Sequence, residues 1–400
     1  MRWLWDSRFS FFVYYLLYVG TVPQPVPAQS ATHLYFYPPA YRFQDGRALD
    51  SPQTVSTAQI TTEFPEIHEM NGVVLMIYWS TLCPHKGTCD FKIIDDTISY
   101  WAQRGKKIVL DVATIGFPIR KLSNGVETIQ NATPDWVLAK VRNYKFKTRV
   151  LGVNSAQRID GVFPDFRDSA FVSEVDKLTR MLGIYDGNVA ISQIRIATGM
   201  MGEDNPMVGS LSAPLAGYKE QMWLDYCRAI TNNFIRVFHQ SELEFDIGRL
   251  SWMYAVGGPT DKGLVDEFVN YLANHRIMLA FDGLGSQFRK LNDDGQFEKN
   301  GIARSAYYLK LFKRQGRRVG LEAIGPMASA QMQDADEILM AIKDINTDRL
   351  VFFQDMAALV NYDRYGKNKA NQPMIQVLTD EQRIKILSNS IQILKDLGFN

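Results

Sequence analysis

An acid inside an apolar run is an unusual surface residue, and Glu322 is such an acid, preceded by Val319-Gly320-Leu321 and followed by Ala323. Read as a strand, this run alternates its side chains between two faces. Val319 and Leu321 share the apolar face, leaving Gly320 and Glu322 on the other. The stretch 189–197 follows the same rule, with Ile194 and Ile196 on one face and Gln193 and Arg195 on the opposite one. A guanidinium turned inward is costly without a carboxylate beside it, so Arg195 and Glu322 are expected as partners. An adjacent cation favours the ionised acid, the form that a nucleophile or base needs. A second candidate, Glu203, lies in Thr198-Gly-Met-Met-Gly-Glu-Asp-Asn-Pro206. Two glycines allow a tight backbone path, and Met200 and Met201 can desolvate a neighbouring acid, raising its pKa as a general acid requires. Asp204 competes with it for that role.

These residues need elements to hold them. Short runs rich in branched and aromatic residues mark strands at 73–79, 108–112, 159–163, 189–197, 250–256, 277–281, 318–322 and 350–354. Fully buried parallel strands have this character. Helical spacing fills the gaps. Ile94, Ile98 and Trp101 lead to Gly105, and Phe171, Val175, Leu178 and Leu182 follow Asp168, a candidate N-cap. Eight strands alternating with helices predict an α/β fold, a (β/α)8 TIM barrel. A doubly wound open sheet is the alternative, but no Gly-rich phosphate turn follows the first strand. Chemistry in such barrels sits at the C-terminal strand ends. There the sequence sets Trp79, Asp111, Asp165, Glu203, Asp282, Glu322 and Gln354.

Composition narrows the function. The 400 residues are 46% apolar and 22% charged, ordinary globular values. Lys+Arg number 44 against 43 Asp+Glu, so no basic excess exists to neutralise a nucleic acid backbone. No long uncharged apolar run follows the N-terminus, which excludes a polytopic membrane protein. Residues 1–31 combine Arg2 and Arg8, an apolar Phe9–Val19 run, and Val26-Pro27-Ala28. They are expected to be a secretory signal peptide, with an uncleaved anchor as the alternative. Residues 32–70 are expected as an N-terminal extension over the barrel, and 71–400 as one catalytic domain. In an exported chain, Cys83 and Cys89 are expected to form a disulfide, while Cys227 reads as a buried small hydrophobe. Two cysteines and His85 lack a second ligand cluster, and only five His occur, so no metal site is expected.

The segment Tyr78-Trp-Ser-Thr-Leu-Cys-Pro-His-Lys-Gly-Thr-Cys-Asp-Phe91 resembles the stretch after the first barrel strand of glycoside hydrolase families 35 and 42. These are clan A barrels, mostly β-galactosidases. The Gly-Met-Met-Gly-Glu203 segment is also similar to a Gly-x-x-Gly-Glu loop of β-amylases, and Gly320-Leu-Glu-Ala323 to their second-Glu segment. The clan resemblance implies an acid/base Glu after the fourth strand and a nucleophile Glu at the end of the seventh, matching Glu203 and Glu322. It departs where Gly202 replaces the usual Asn before the acid/base and Cys83 replaces a frequent Glu. It implies an oligosaccharide or polysaccharide substrate and no cofactor. Asp111, Asp165, Arg195, Asp282 and Gln354 become candidate substrate contacts, with Trp79, Trp136 and Trp252 as candidate stacking platforms. Clan A enzymes retain anomeric configuration and β-amylases invert it. Retention is the expectation. Inversion with Glu322 as base, or a non-catalytic carbohydrate-binding barrel, are the alternatives.

Overall fold

The computed structural model describes residues 33–37, 43–44, 47–48, 71–116, 119–123, 126–149, 158–200, 202, 204, 217–247, 262–284, 302–323 and 342–353. The expected signal segment at 1–31 lies outside them. Eight parallel strands close into a barrel. They are β1 (His33–Tyr37), β2 (Gly72–Tyr78), β3 (Lys107–Ala113), β4 (Ile191–Arg195), β5 (Leu243–Asp246), β6 (Met278–Leu284), β7 (Val319–Ala323) and β8 (Arg349–Phe353). Each pairs with its sequence neighbour, and β1 closes the ring between β8 and β2. The (β/α)8 expectation stands.

Three strand assignments change. The first barrel strand is His33–Tyr37, inside the segment expected as an extension, so the barrel begins before residue 71. The stretch expected as a strand at 159–163 belongs to an antiparallel hairpin, Asn143–Arg149 with Arg158–Pro164, in the connection after β3. The fifth barrel strand is Leu243–Asp246; the expected strand at 250–256 lies outside the described residues. One missed strand and one surplus strand offset each other, so the fourth and seventh positions keep their numbers.

Strand alternation builds two separate interiors. Outward residues such as Leu75, Ile77, Leu110, Ile194, Phe245, Leu279, Leu321 and Leu350 join one large core with the helices. Helix Ser169–Leu182 presents Phe171, Val175, Leu178 and Leu182 to it, and Glu220–Val237 presents Trp223, Cys227, Ile230 and Phe234. Each such side chain contributes roughly 1.5–3 kcal/mol when fully buried. Asp168 is the expected N-cap, accepting a hydrogen bond from the Ala170 amide at 2.9 Å. Inside the barrel, Tyr35, Val74, Met76, Val109 and Val351 form a smaller apolar cluster. Toward β3 to β8 the lumen also holds a cluster of buried charged side chains.

The Cys83–Cys89 disulfide forms as expected and closes a short loop after β2. At the base of the loop the Asp90 amide donates to Leu82 O, and the Trp136 indole N–H donates to Cys83 O at 2.9 Å. Cys227 is free and fully buried, and burial pushes its thiol pKa well up.

Candidate active site

Arg195 points into the barrel, as its strand parity requires, and is 1% exposed. Among the described residues, four carboxylates surround it. Its Nη2 lies 2.6 Å from Glu322 Oε2 and 3.6 Å from Asp246 Oδ2. Its Nε donates to Glu244 Oε1 at 3.0 Å and its Nη1 to Asp111 Oδ2 at 3.2 Å. A second guanidinium, Arg349, bonds the other oxygen of Glu244. The expected Arg195–Glu322 pair is therefore present, within a cluster of two cations and four acids drawn from β3, β4, β5, β7 and β8.

Small residues make room for it. A Cβ on Gly320 would sit 3.1 Å from Arg349 Nη2 and 3.0 Å from the Met278 methyl. Gly320 thus lets the lower guanidinium lie across β7 beneath Glu322. Gly202, with φ +88, covers Asp111 so closely that a Cβ there would fall 2.4 Å from Oδ2. The Asp204 amide donates to the Asp246 carbonyl at 3.2 Å. Glu203 itself lies outside the described residues, but both its neighbours rest on partners of Arg195.

An excess of acids over cations in a dry site has an electrostatic consequence. Burial pushes the Asp111 carboxyl up to about 7; Arg195 opposes this, while Glu322 and Glu244 add to it. Burial would also raise Glu244, but Arg349 and Arg195 outweigh it and hold that carboxyl below its ordinary value. Asp111 is thus the acid that gives way. Between its ordinary 3.8 and about 7, the folded chain holds a proton on Asp111 that the unfolded chain has released. Stability then falls as pH rises through that window, by about 3 kcal/mol from pH 5 to pH 8. Asp111→Asn, which copies the neutral acid, is expected to remove this decline. Urea midpoints of the two proteins should differ less at pH 5 than at pH 8, the variant gaining on wild type as pH rises through the window. Equal separation at both pH values would exclude the assignment.

The remaining expected site residues divide. Asp111 is on the lumen side but fully buried under Gly202, so it is a partner of Arg195 rather than a contact for substrate hydroxyls. Asp165 does not end a barrel strand. It closes the hairpin after β3, bonded by Arg167 and the Tyr144 hydroxyl and ion-paired with Arg142. Burial would raise its pKa, but the Arg167 and Tyr144 hydrogen bonds prevail and hold it low, which fits a structural anchor. Trp79 is 1% exposed in the outer core, with its ring edge-on to Trp136 at 6.0 Å, so it presents no face to a sugar. Asp282 lies within β6, inside the register slip between Phe281 and Leu284. Gln354 and Trp252 lie outside the described residues.

Glu244, Asp246 and Arg349 were not anticipated. The signal was available: Leu243-Glu-Phe-Asp246 alternates apolar and acidic residues with the period of a half-buried strand. Arg349 stands one residue before the run taken as the last strand.

No family model matches the chain, and no curated protein matches it. Solved structures do. The catalytic domain of a β-amylase from Paenibacillus polymyxa is similar over 81% of this chain and 92% of its own, at 11% identity and TM-score 0.50. An endo-1,4-β-xylanase from Caldicellulosiruptor owensensis matches 87% of this chain and 90% of its own, at 11% identity and TM-score 0.45. A xylanase from Paenibacillus barcinonensis matches 86% and 88%, at 13% identity and TM-score 0.42. At these identities the likeness to the β-amylase domain establishes the fold, a (β/α)8 barrel.

Proposed function

We propose that this chain is an exported glycoside hydrolase that cleaves O-glycosidic bonds in an oligosaccharide or polysaccharide with two carboxylates. Glu322 is the nucleophile and Glu203 the general acid/base. The observation that carries the reading is Glu322 at the end of β7, 5% exposed, with one oxygen 2.6 Å from a guanidinium buried in the barrel. Chemistry in this fold belongs to the C-terminal strand ends. A carboxylate held there by a rigid planar guanidinium is oriented toward the mouth of the barrel's C-terminal end.

In the first step a Glu322 oxygen bonds to the anomeric carbon as the glycosidic C–O bond breaks, and Glu203 gives its proton to the leaving oxygen. In the second, water attacks the anomeric carbon, Glu203 takes the water's proton, and the Glu322 carboxylate departs. Configuration is retained over the two displacements. No step needs a metal or an organic cofactor.

The test is a panel of aryl glycosides, α- and β-linked, of glucose, galactose and xylose, incubated with the wild-type chain and with Glu322→Gln as background. Hydrolysis by wild type alone supports the reading. The anomer first formed, read by NMR, distinguishes retention from inversion, the latter making Glu322 the base for water. Binding of an oligosaccharide by calorimetry, with every glycoside left intact, would replace the enzyme reading with a carbohydrate-binding barrel.

A further inference from the structure

Asp246 ends β5 and is 1% exposed. Its carboxylate and that of Glu322 meet the same nitrogen, Arg195 Nη2, at 3.6 and 2.6 Å. Its backbone carbonyl accepts the Asp204 amide at 3.2 Å, and the following amide, Ile247 N, is fixed on Ala280 O at 2.8 Å. One residue therefore touches both halves of the site. Its side chain meets the cation that orients Glu322, and its main chain holds the residue next to Glu203. We infer that Asp246 is a positioning residue: its side chain sets Glu322 through Arg195, and its main chain fixes Asp204, the residue next to Glu203. This rests on the two-carboxylate reading above.

The physical case is a competition. Arg195 spends Nε on Glu244 and Nη1 on Asp111, leaving Nη2 between Glu322 and Asp246. A guanidinium is a rigid planar fork, so a pull on Nη2 from one side sets the direction it offers to the other. Among the described residues, the charged groups of the cluster that holds Glu322 are Arg195 on β4, Asp111 on β3, Glu244 and Asp246 on β5, and Arg349 on β8, the last bonded to Glu244. Asp246 is the one that also carries the anchor for the loop after β4. Misplacement of reacting groups by about 1 Å can cost on the order of a hundredfold in rate.

The experiment compares wild type, Asp246→Asn and Asp246→Glu on an aryl glycoside that wild type cleaves. Asp246→Asn keeps the shape and removes the charge. Its kcat is expected to fall about tenfold with KM within about twofold, because an orienting interaction and not a substrate contact is lost. The acid limb of its kcat/KM profile should move to lower pH by roughly half a unit to one unit, since a negative charge has left the Arg195 cluster. Asp246→Glu, which keeps the charge, should retain the wild-type limb. Wild-type kcat and limb in Asp246→Asn, or a loss of stability with both unchanged, would overturn the inference. Should Asp246→Asn not fold, amide exchange in the wild-type chain decides. Protection of the Asp204 amide at least about tenfold beyond an open loop supports the anchor, and exchange at the open-chain rate removes it. Failure of the catalytic reading looks different, with Glu322→Ala as active as wild type while Asp204 stays protected.

Discussion

Arg195→Met is expected to lower the unfolding free energy by about 3–5 kcal/mol at pH 8, the usual cost of removing one partner from a buried ion pair. The side chain that replaces the guanidinium fills similar space, so the loss is electrostatic. Glu244 keeps Arg349, but Asp111, Asp246 and Glu322 lose their shared cation while remaining almost wholly buried. Protons are the remedy available to them. Burial already pushes Asp111 up and Arg195 opposes it; without Arg195 that carboxyl rises further, so the folded variant holds a proton that the unfolded chain releases, and stability falls as pH rises above the ordinary carboxylate range. The deficit relative to wild type should therefore be clearly smaller at pH 5 than at pH 8. Against a typical total of about 5–15 kcal/mol, the variant at pH 8 approaches a partly unfolded population. Urea unfolding at both pH values checks this, and a deficit independent of pH would mean that packing, not charge, is what Arg195 supplies. Adding Asp111→Asn to Arg195→Met should restore part of the loss at pH 8, the non-additive result expected of groups in one network.

That network shows what the sequence made legible and what it hid. The barrel followed from alternation of short apolar runs with amphipathic helices. Arg195 and Glu322 followed from period-two parity, because Ile194, Ile196, Val319 and Leu321 mark the outer face unmistakably. The missed strands failed for physical reasons. Leu243–Asp246 is four residues long and half acidic, so its composition resembles a loop; only the buried Arg195 and Arg349 make those acids tolerable in a core. His33–Tyr37 is short and stands before a Pro-Pro pair, with no helical pattern beside it to mark a repeat unit. Arg158–Pro164 has the composition of a buried strand, yet its partner is the neighbouring Asn143–Arg149, and sequence periodicity does not say which strand a strand will join. Asp111 lies two residues before the end of β3, and Trp79 directly follows β2. Their burial depends on what lies over them, a glycine at 202 in one case and the outer helical layer in the other.

Glu322→Ala is expected to lose about four orders of magnitude in kcat/KM on any glycoside that the wild-type chain cleaves, the scale on which catalytic nucleophiles are felt. The fold should survive it. Arg195 keeps Glu244, Asp111 and Asp246, so the deletion leaves the cation with three partners and removes one acid from a cluster that holds more acids than cations. Thermal unfolding within a few degrees of wild type would show that the activity loss is chemical. The deletion also opens a space beside the Arg195 Nη2 where a carboxylate oxygen had been. A small anion is drawn to such a place by the same guanidinium. With an aryl glycoside whose leaving group needs no protonation, added azide or formate should restore turnover. It attacks the anomeric carbon from the vacated side and, with azide, gives a stable glycosyl azide of inverted configuration. That product places Glu322 on the face from which the anomeric carbon is attacked. If Glu322 instead activates water, the substitution removes a base, and azide still attacks from the same face. The two cases then separate in wild type, where a nucleophile gives a product of retained configuration and a base one of inverted configuration. An unaltered rate in Glu322→Ala would remove Glu322 from the chemistry altogether and leave the Arg195 cluster as a structural device of the barrel.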